Sequence, residues 1–347
     1  MADSFYERAV RPVLFKLSAD QAHGLAQLAL RMPPMWRVLA RACRVGDSRL
    51  ETDLAGLQLA NPVGLAPGFV KNVELLPALA ELGFGYVTLG SITKQPRFGN
   101  PFPRLVRYPE REAIANSLGL PNGGLAMTVR GLEDARPARC PVVASVAGFS
   151  AEELLECARA VEPYVAAVEI GLVCPNTSET ERMEELRIFS TLAEGLAASL
   201  RKPVFVKLPP HHSDDDRRRT FSLLDECLRT GLKGVSVSGT RPIVESRLAT
   251  GRGSLAGRAV FEDSLRVVSD VADHCAGQLA IKASGGVFSG SDALRMFEAG
   301  ASSVEVYSAF VYRGWQVAGL INRELLALLR ERGISVRESH RGSAVYG

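Results

Sequence analysis

The chain has 347 residues, of which 46% are apolar and 23% charged, and its formal net charge at pH 7 is +3. This length and composition are those of an ordinary globular enzyme with one large domain and an appendage. The charge is too small to favour a nucleic acid as partner. No run of 18 apolar residues predicts a membrane span, and the N-terminus has no signal-peptide pattern.

The first 45 residues predict a small helical segment, with helices over 4–17, 18–32 and 35–43. Ser18 and Gln21 have the spacing of a capping box, and the pair Pro33-Pro34 is expected to end the second helix. The segment carries seven Lys and Arg residues against three acids. Two interpretations fit it: a basic amphipathic pair on an anionic membrane surface, or a helical cap on the main domain. One segment can do both.

From residue 46 to residue 337, strand patterns and helix patterns alternate. The eight strand candidates lie within 57–66 and at 86–89, 142–146, 165–170, 204–208, 234–237, 279–283 and 304–307. Helices are predicted at 72–82, 151–161, 183–200, 214–230, 261–275 and 291–299. This alternation predicts an α/β fold, a (β/α)8 TIM barrel, with a doubly wound sheet as the alternative. Residues 338–347 are predicted to be a tail.

The cysteines and histidines do not indicate a metal site. Six cysteines, at positions 43, 140, 157, 174, 227 and 275, lie far apart, with no Cys-x-x-Cys pair. They are expected to be reduced thiols of a cytoplasmic protein. The adjacent His211 and His212 stand in a charged stretch and are predicted to be solvated.

One cysteine has a special position. An apolar run over 165–173 ends in Cys174-Pro175-Asn176, which places a thiol where a barrel keeps its chemistry, at the carboxyl end of a strand. The pattern predicts an acid, base or nucleophile. The alternative is a small buried cysteine before a turn.

Two lysines also follow strands. Lys207 ends the apolar run Val-Phe-Val and is predicted to meet an anion or an electron-rich ring at the barrel mouth, since burying it alone is costly. Lys71 follows the first strand, where either a site cation or a surface lysine fits. The connection of about 50 residues after the second strand is predicted to be a functional lid.

The last two loops predict a phosphate site. Gly285 and Gly286 follow strand seven, and Tyr307 and Ser308 follow strand eight. Small residues at helix starts in these loops form the phosphate site of many barrels. We therefore predict a cofactor that carries a phosphate.

Taken together, these motifs resemble the dihydroorotate dehydrogenase family over nearly the whole chain. The matching motifs lie at 64–71, 99–104, 116–119, 174–177, 206–210, 284–286 and 307–308. The N-terminal helices resemble the quinone-reducing class of the family, whereas Cys174-Pro-Asn is the form typical of the soluble class.

The resemblance implies an FMN enzyme that oxidises dihydroorotate to orotate in pyrimidine biosynthesis and passes the electrons to a quinone. Cys174 would be the base. The residues implied to bind FMN are Ala66, Gly68, Ser91, Ser145, Lys207, Ser238, Gly257, Gly285, Gly286, Tyr307 and Ser308. Those implied to bind the substrate are Lys71, Asn116, Leu120, Asn176 and Thr240. Arg104 and the N-terminal helices would form the quinone entrance, in peripheral contact with the inner membrane surface.

The chain departs from the family at two asparagines. Gly171 and Gly239 stand where the resemblance implies substrate-binding asparagines, and they are predicted to enlarge the pocket and to weaken orotate binding. Two alternatives follow. One is the same flavin chemistry on a different cyclic substrate. The other is a binding protein without catalysis, against which the retained Cys174 and Lys71 argue.

Overall fold

The computed structural model describes residues 4–135, 138–172 and 185–340, apart from the side chains of Pro33 and Pro34. Its strands, in chain order, are β1 Thr52–Leu54, β2 Leu57–Leu59, β3 Val63–Val70, β4 Tyr86–Ile92, β5 Leu105–Tyr108, β6 Ala113–Asn116, β7 Val142–Ala147, β8 Ala167–Gly171, β9 Val204–Lys207, β10 Gly234–Ser238, β11 Arg241–Val244, β12 Arg252–Gly257, β13 Ala280–Ser284 and β14 Ser303–Val306.

Eight of these strands form a closed parallel barrel in the order β3, β4, β7, β8, β9, β10, β13 and β14. They are short, mostly buried apolar runs, as expected of strands with helices on one face and a filled interior on the other. All eight predicted barrel strands are confirmed, and the alternative of an open doubly wound sheet is wrong. The β1–β2 hairpin precedes the barrel.

The helices are α1 Arg11–Leu14, α2 Ala19–Leu30, α3 Pro33–Leu39, α4 Leu76–Leu79, α5 Gly124–Asp134, α6 Ala151–Val161, α7 Leu186–Ser199, α8 Asp214–Thr230, α9 Phe261–Cys275, α10 Gly290–Glu298, α11 Ser308–Arg313, α12 Val317–Arg332 and α13 Val336–Ser339. The bounds of α6, α8 and α9 are those predicted. The helix predicted over 72–82 is shorter, a 3-10 turn followed by α4. Pro77 explains this, because a proline without N–H fits only the first turn of a helix.

The N-terminal helices pack on the barrel. The predicted capping box of Ser18 and Gln21 is present at the start of α2. The first predicted helix is instead a π-helical turn over Tyr6–Val10 followed by α1. The Tyr6 hydroxyl donates to the Val311 carbonyl at 2.8 Å, which ties this turn to α11. The N-terminal segment is therefore a helical cap on the main domain, which is one of the two interpretations given above.

The same segment exposes apolar side chains on its outer side. Phe5 is 67% exposed, Val13 62%, Leu28 59% and Val38 66%. These side chains do not pack on the barrel. The cap therefore has one apolar face toward the barrel and a second one toward solvent. Among the described residues, no helix is both long and apolar enough to cross a membrane.

A second, antiparallel sheet of order β11, β12, β6 and β5 stands over one side of the barrel mouth. Sequence analysis missed all four of its strands. Two of them lie in the connection predicted to be a lid, which is instead ordered into β5, β6 and α5. Short strands with mixed polarity carry little periodic signal, so only the pairing reveals them.

One prediction about the histidines is wrong. His211 is 3% exposed, and its Nε2 lies 3.2 Å from Oδ2 of Asp270. Burial lowers the pKa of His211. His212 is exposed, as predicted. The predicted tail begins within α13, and residues 341–347 lie outside the described part of the chain.

Candidate functional site

The carboxyl ends of the barrel strands surround a cavity of about 240 Å³, here called the mouth cavity. Loops after most of the barrel strands and the second sheet form its wall, as in other barrels of this kind. The structure brings the following predicted site residues together there: Ala66, Gly68, Lys71, Ser91, Asn116, Leu120, Lys207, Ser238, Thr240, Gly257, Gly285, Gly286, Tyr307 and Ser308.

The charge in the mouth cavity favours an anion. Lys71 and Lys207 line it, and Glu305 is the only acid among the described residues that do so. Burial lowers the pKa of Lys71 to about 8; the charge of Arg104 adds to this effect and that of Asp20 opposes it. At neutral pH the Lys71 ammonium is therefore present but poorly solvated. An anionic ligand would relieve that cost.

The Tyr307 hydroxyl is a buried polar group of the cavity wall. It makes no hydrogen bond to any described residue, and burial raises its pKa to about 12. Its ring packs edge to face on Phe69, with the centroids 5.7 Å apart. Because buried polar groups are nearly always paired, this hydroxyl indicates a polar ligand at the wall of the cavity.

Glycines form another part of the wall. Gly257, Gly285 and Gly286 have φ angles of 103°, 110° and 85°, which other residues rarely adopt. A Cβ at Gly286 would lie 2.7 Å from the Cβ of Phe261. Only a bare backbone fits there, so the loops present main-chain groups to the cavity at close range.

Two polar residues of the wall are held by neighbouring elements, Asn116 through its side chain and Thr240 through its backbone carbonyl. Asn116, at the end of β6, donates from its amide to the Ser254 carbonyl on β12 at 3.1 Å. The Thr240 carbonyl lies 2.9 Å from Nε2 of His212. The second sheet and the loop before α8 thus hold one side of the cavity in place.

Some predicted residues lie elsewhere. Ser145 is not on the cavity wall; it is buried in the barrel interior and donates to Oε1 of Glu169 at 2.9 Å. The β7 residue on the wall is Ala147, which lies two residues nearer the barrel mouth on the same face of the strand. Cys174 and Asn176 lie outside the described residues.

The two departures from the family differ in the structure. Gly171, at the end of β8, lines the mouth cavity, and a Cβ there would lie 3.3 Å from the Val146 carbonyl oxygen. Gly239 does not line it, and a Cβ there would lie 2.3 Å from Oγ of Ser264. The prediction that Gly239 enlarges the pocket is therefore wrong, because a side chain at 239 would meet α9 and not the cavity.

A second cavity of about 450 Å³ lies between the N-terminal helices and the barrel and is here called the helix cavity. Its wall is almost entirely apolar and includes Val10, Leu14, Ala22, Ala26, Trp36 and Phe310. Leu105, Ile114 and Tyr307 belong to the walls of both cavities. The two spaces are thus separated by one layer of side chains.

Two basic side chains of the helix cavity, His23 and Arg107, were not predicted from the sequence. Burial lowers the pKa of His23 to about 4, helped by the charge of Lys71, so this imidazole is neutral at pH 7. The Arg107 guanidinium lies over the Phe15 ring at 4.3 Å and donates to the Leu14 carbonyl at 3.3 Å.

Arg104, predicted at the quinone entrance, lines neither cavity. Its guanidinium donates to the Phe98 carbonyl at 2.7 Å and lies over the Phe102 ring at 4.0 Å. Alternation along β5 explains the difference, because Leu105 and Arg107 share the face that meets the helices. Strand register, which the motif does not carry, was the missing signal.

No group of three or more potential metal-ligating side chains is present in the part of the chain that the structure describes. Fold and site together define a parallel-barrel enzyme with a lysine-bearing cavity at the strand ends and an apolar cavity beside it. The chain belongs to the dihydroorotate dehydrogenase family, since the sequence pattern of that family matches residues 49–329.

Curated proteins of similar sequence carry the name of the same family. The chain is 33% identical to the dihydroorotate dehydrogenase (quinone) of Methylococcus capsulatus, over 93% of this chain and 99% of that one. It is 34% identical to the enzyme of the same name from Chloroflexus aurantiacus, over 93% and 96%. The predicted family and the prediction of an oxidoreductase of this family are confirmed.

Solved structures extend the similarity to the fold. A DHODH of Eimeria tenella in complex with ferulenol superposes with a TM-score of 0.82 and 27% identity, covering 96% of this chain and 99% of that one. The ligand-free form from the same organism gives 0.80 and 29%, covering 93% and 100%. The barrel and its N-terminal cap are thus features that the chain shares with these proteins over nearly their whole length.

Proposed function

We propose that the chain oxidises dihydroorotate to orotate with FMN held in the mouth cavity, and that it passes the electrons to a quinone in the helix cavity. Family membership supports the reaction. The observation that carries the proposal is the shared wall of Leu105, Ile114 and Tyr307. One wall between a cavity that carries two lysines and an almost entirely apolar cavity lets an anionic substrate and a lipid-soluble acceptor use one cofactor from separate sides.

The mouth cavity fits FMN. The bare backbone at Gly257, Gly285 and Gly286, with Ser308 beside it, would hold the phosphate, and Lys207 and Ser91 would contact the ring. The unpaired hydroxyl of Tyr307 would gain a partner. Bound there, FMN supplies the acceptor for the hydride that leaves the substrate.

The substrate is an anion at neutral pH because it carries a carboxylate, and the Lys71 ammonium is the cation proposed to bind it. Asn116, Leu120 and Thr240 would complete the contacts on the described part of the wall. Asn176 is proposed as a further contact. Lys71 stays protonated at pH 7, since its pKa is about 8.

Cys174 is proposed as the base that removes the proton from the substrate carbon. An ordinary thiol has a pKa of about 8.5, and a neighbouring cation lowers it toward neutrality. Lys71 and Lys207 give this end of the barrel the required positive charge.

The helix cavity suits a quinone because its wall is apolar and its imidazole is neutral. Arg107 offers the one cationic donor on that wall among the described residues. The exposed apolar side chains of the cap, together with its basic character, favour peripheral contact with an anionic membrane surface. A lipid-soluble acceptor would then enter from the membrane.

The first experiment is to mix the purified protein with dihydroorotate in the absence of oxygen and to follow the flavin absorbance. Rapid bleaching is expected, and a water-soluble quinone added afterwards should restore the yellow colour. A yellow protein that stays yellow contradicts the proposed substrate. Bleaching that only oxygen reverses contradicts the proposed acceptor.

Gly171 favours a second candidate function, the same chemistry on a different cyclic substrate. It stands beside Lys207 in the barrel register and adds no side chain to the cavity wall. A bulkier or less polar ring would suit this wall. Failure to bleach with dihydroorotate, in a protein that retains FMN, would favour this candidate.

A further inference from the structure

The barrel interior holds an ionic group of Glu169, Lys282 and Glu305, here called the buried triad. Nζ of Lys282 lies 2.8 Å from Oε2 of Glu169 and 3.1 Å from Oε1 of Glu305. The side chains of Glu169 and Lys282 are 0% exposed and that of Glu305 is 2% exposed. Two carboxyl groups and one ammonium cannot all be ionised without leaving a net negative charge in the core.

The two carboxyl groups have different surroundings. Both oxygens of Glu169 accept hydrogen bonds: Oε1 from Ser145 at 2.9 Å, and Oε2 from Ser236 at 2.6 Å. Burial opposes its ionisation, but the charges of Lys282 and Lys207 outweigh burial and hold the pKa of Glu169 well below its usual value. Glu169 is therefore the ionised partner of Lys282.

Glu305 has weaker support for a charge. Its hydrogen bonds from Thr88, at 2.9 Å, and from Lys282 both end on Oε1. Burial raises the pKa of Glu305; Lys282 opposes this, and the Glu169 carboxylate adds to it. Of the three groups, Glu305 is thus the one whose protonation can change.

Glu305 is the one member of the triad on the wall of the mouth cavity. A proton on its carboxyl group therefore lies beside the proposed cofactor site. Lys282 and Glu169 face Glu305 from β13 and β8, and Lys207 acts from β9 through Glu169. Tyr86, on β4, is also near, and burial raises the pKa of its hydroxyl, with the Glu305 charge adding to the effect. The phenol therefore stays neutral, and Lys282 is the one cation of the described residues that forms an ion pair with Glu305.

We propose that Glu305 is a positioning residue of the mouth cavity that holds an exchangeable proton and thereby adjusts how much negative charge the bound cofactor can carry. The inference rests on the proposed function, because the added charge is that of the reduced cofactor. The electrons come from the substrate, and the proton comes from solvent and returns to it. No bond of the substrate is formed or broken at Glu305.

The test compares the holoenzyme with its Glu305→Gln variant. The midpoint potential of the bound FMN is measured from about pH 5.5 to about pH 9.5, the range into which burial moves a carboxyl pKa. We expect equal potentials at the acid end, where Glu305 is protonated. As the pH rises, the potential of the wild type should fall below that of the variant.

At the alkaline end, the wild type and Glu305→Gln should differ about tenfold in the ratio of their affinities for reduced and oxidised cofactor. This is the effect of two unit charges about 10 Å apart in a protein. For a two-electron couple this is about 30 mV. Parallel curves over the whole range would overturn the proposal, because a purely structural role of Glu305 would displace the potential equally at every pH.

Two further variants support the comparison. Thr88→Val removes a donor to Glu305 and should move the inflection of the curve to higher pH. Glu245→Gln is the matched control, since Glu245 pairs with Arg247 in the loop between β11 and β12 and lines neither cavity. Its curve should coincide with that of the wild type.

A measurement without cofactor separates this proposal from the proposed function. Because the pKa of Glu305 is raised in the folded state, its contribution to stability is present at low pH and lost as the pH rises through that value. The free energy of unfolding should therefore decline more steeply with pH in the wild type than in Glu305→Gln. If the protein binds no FMN, the proposed function fails and this difference still tests Glu305; parallel unfolding curves would overturn the proton-holding role.

Discussion

The mouth cavity and the helix cavity lie on either side of one wall and are built by different means. The mouth cavity is lined by loop backbone, by apolar side chains and by several polar or charged side chains at the ends of many strands. The helix cavity consists of apolar side chains from a short N-terminal segment and one side of the barrel. The contrast teaches that a polar site needs particular residues at fixed points, whereas an apolar site needs only enough surface of the right shape.

If the two cavities have separate functions, a change in one should leave the other intact. The largest effect is expected for Cys174→Ala. The variant should retain FMN but lose reduction by dihydroorotate by a factor of about 10² to 10⁴, the usual contribution of a general base. Stopped-flow absorbance measures this rate.

Cys140→Ala is the control for Cys174→Ala, because Cys140 is a half-buried thiol away from both cavities. Its rate should equal that of the wild type. Unchanged bleaching in Cys174→Ala would exclude this thiol as the base.

The next effect is expected in the helix cavity. Ala26→Trp places a large ring in that space and should lower quinone turnover by about tenfold or more, since a blocked cavity loses its apolar contacts. Flavin reduction by substrate should not change. Steady-state quinone reduction and stopped-flow bleaching, measured on one preparation, separate the two.

Leu28→Trp is the matched control on the same helix, because Leu28 is 59% exposed and does not line the helix cavity. Equal loss of turnover in both tryptophan variants would mean that the space itself is not the quinone site.

The pH dependence of orotate binding tests whether the charge of Lys71 binds the substrate in the mouth cavity. Lys71 has a lowered pKa of about 8, so its charge is present below that pH and lost above it. Affinity for orotate should therefore fall by about tenfold for each pH unit above the pKa. Lys71→Met should bind weakly and without this slope, whereas Lys94→Met, which removes a surface lysine paired with Glu156, should keep it. A titration of flavin fluorescence measures both. A slope that survives in Lys71→Met would assign the titration to another group.

The smallest effect concerns the shared wall. Tyr307→Phe removes a buried hydroxyl that has no described partner, so the protein without cofactor should gain about 1 kcal/mol of unfolding free energy. If FMN pairs with this hydroxyl, the holoenzyme should instead bind FMN several-fold more weakly. Thermal unfolding with and without FMN measures both the gain in stability of the free protein and the loss of stabilisation by FMN. The same change in both states would show that the hydroxyl does not face the cofactor.

The barrel could be predicted from the sequence because its signals are local. Each strand is a short apolar run, and α6 and α8 each begin after a serine N-cap that the sequence displays. The glycines and polar residues at the strand ends could be predicted as a site because a closed barrel brings all those ends to one mouth. Because barrel closure brings the strand ends together, the order of the motifs along the chain was enough to predict that they share one site.

Three features could not be predicted in this way. Arg107 and His23 depend on the register of β5 against the N-terminal helices, and a one-residue shift along a strand reverses the direction of a side chain. Ser145 depends on how deep the mouth cavity reaches along β7, since Ala147 on the same face lines it. Gly239 could be assessed only against Ser264, a neighbour from another part of the chain.

The sequence by itself determined the fold, the family and most of the polar wall of the mouth cavity, because composition, periodicity and strand-end motifs act over a few residues. The tertiary structure alone decided the second sheet, the apolar cavity under the N-terminal cap and the buried triad. Glu169, Lys282 and Glu305 lie on three different strands and become one ionic group only when the barrel closes. Their charges interact strongly because closure also removes the water that would otherwise separate them.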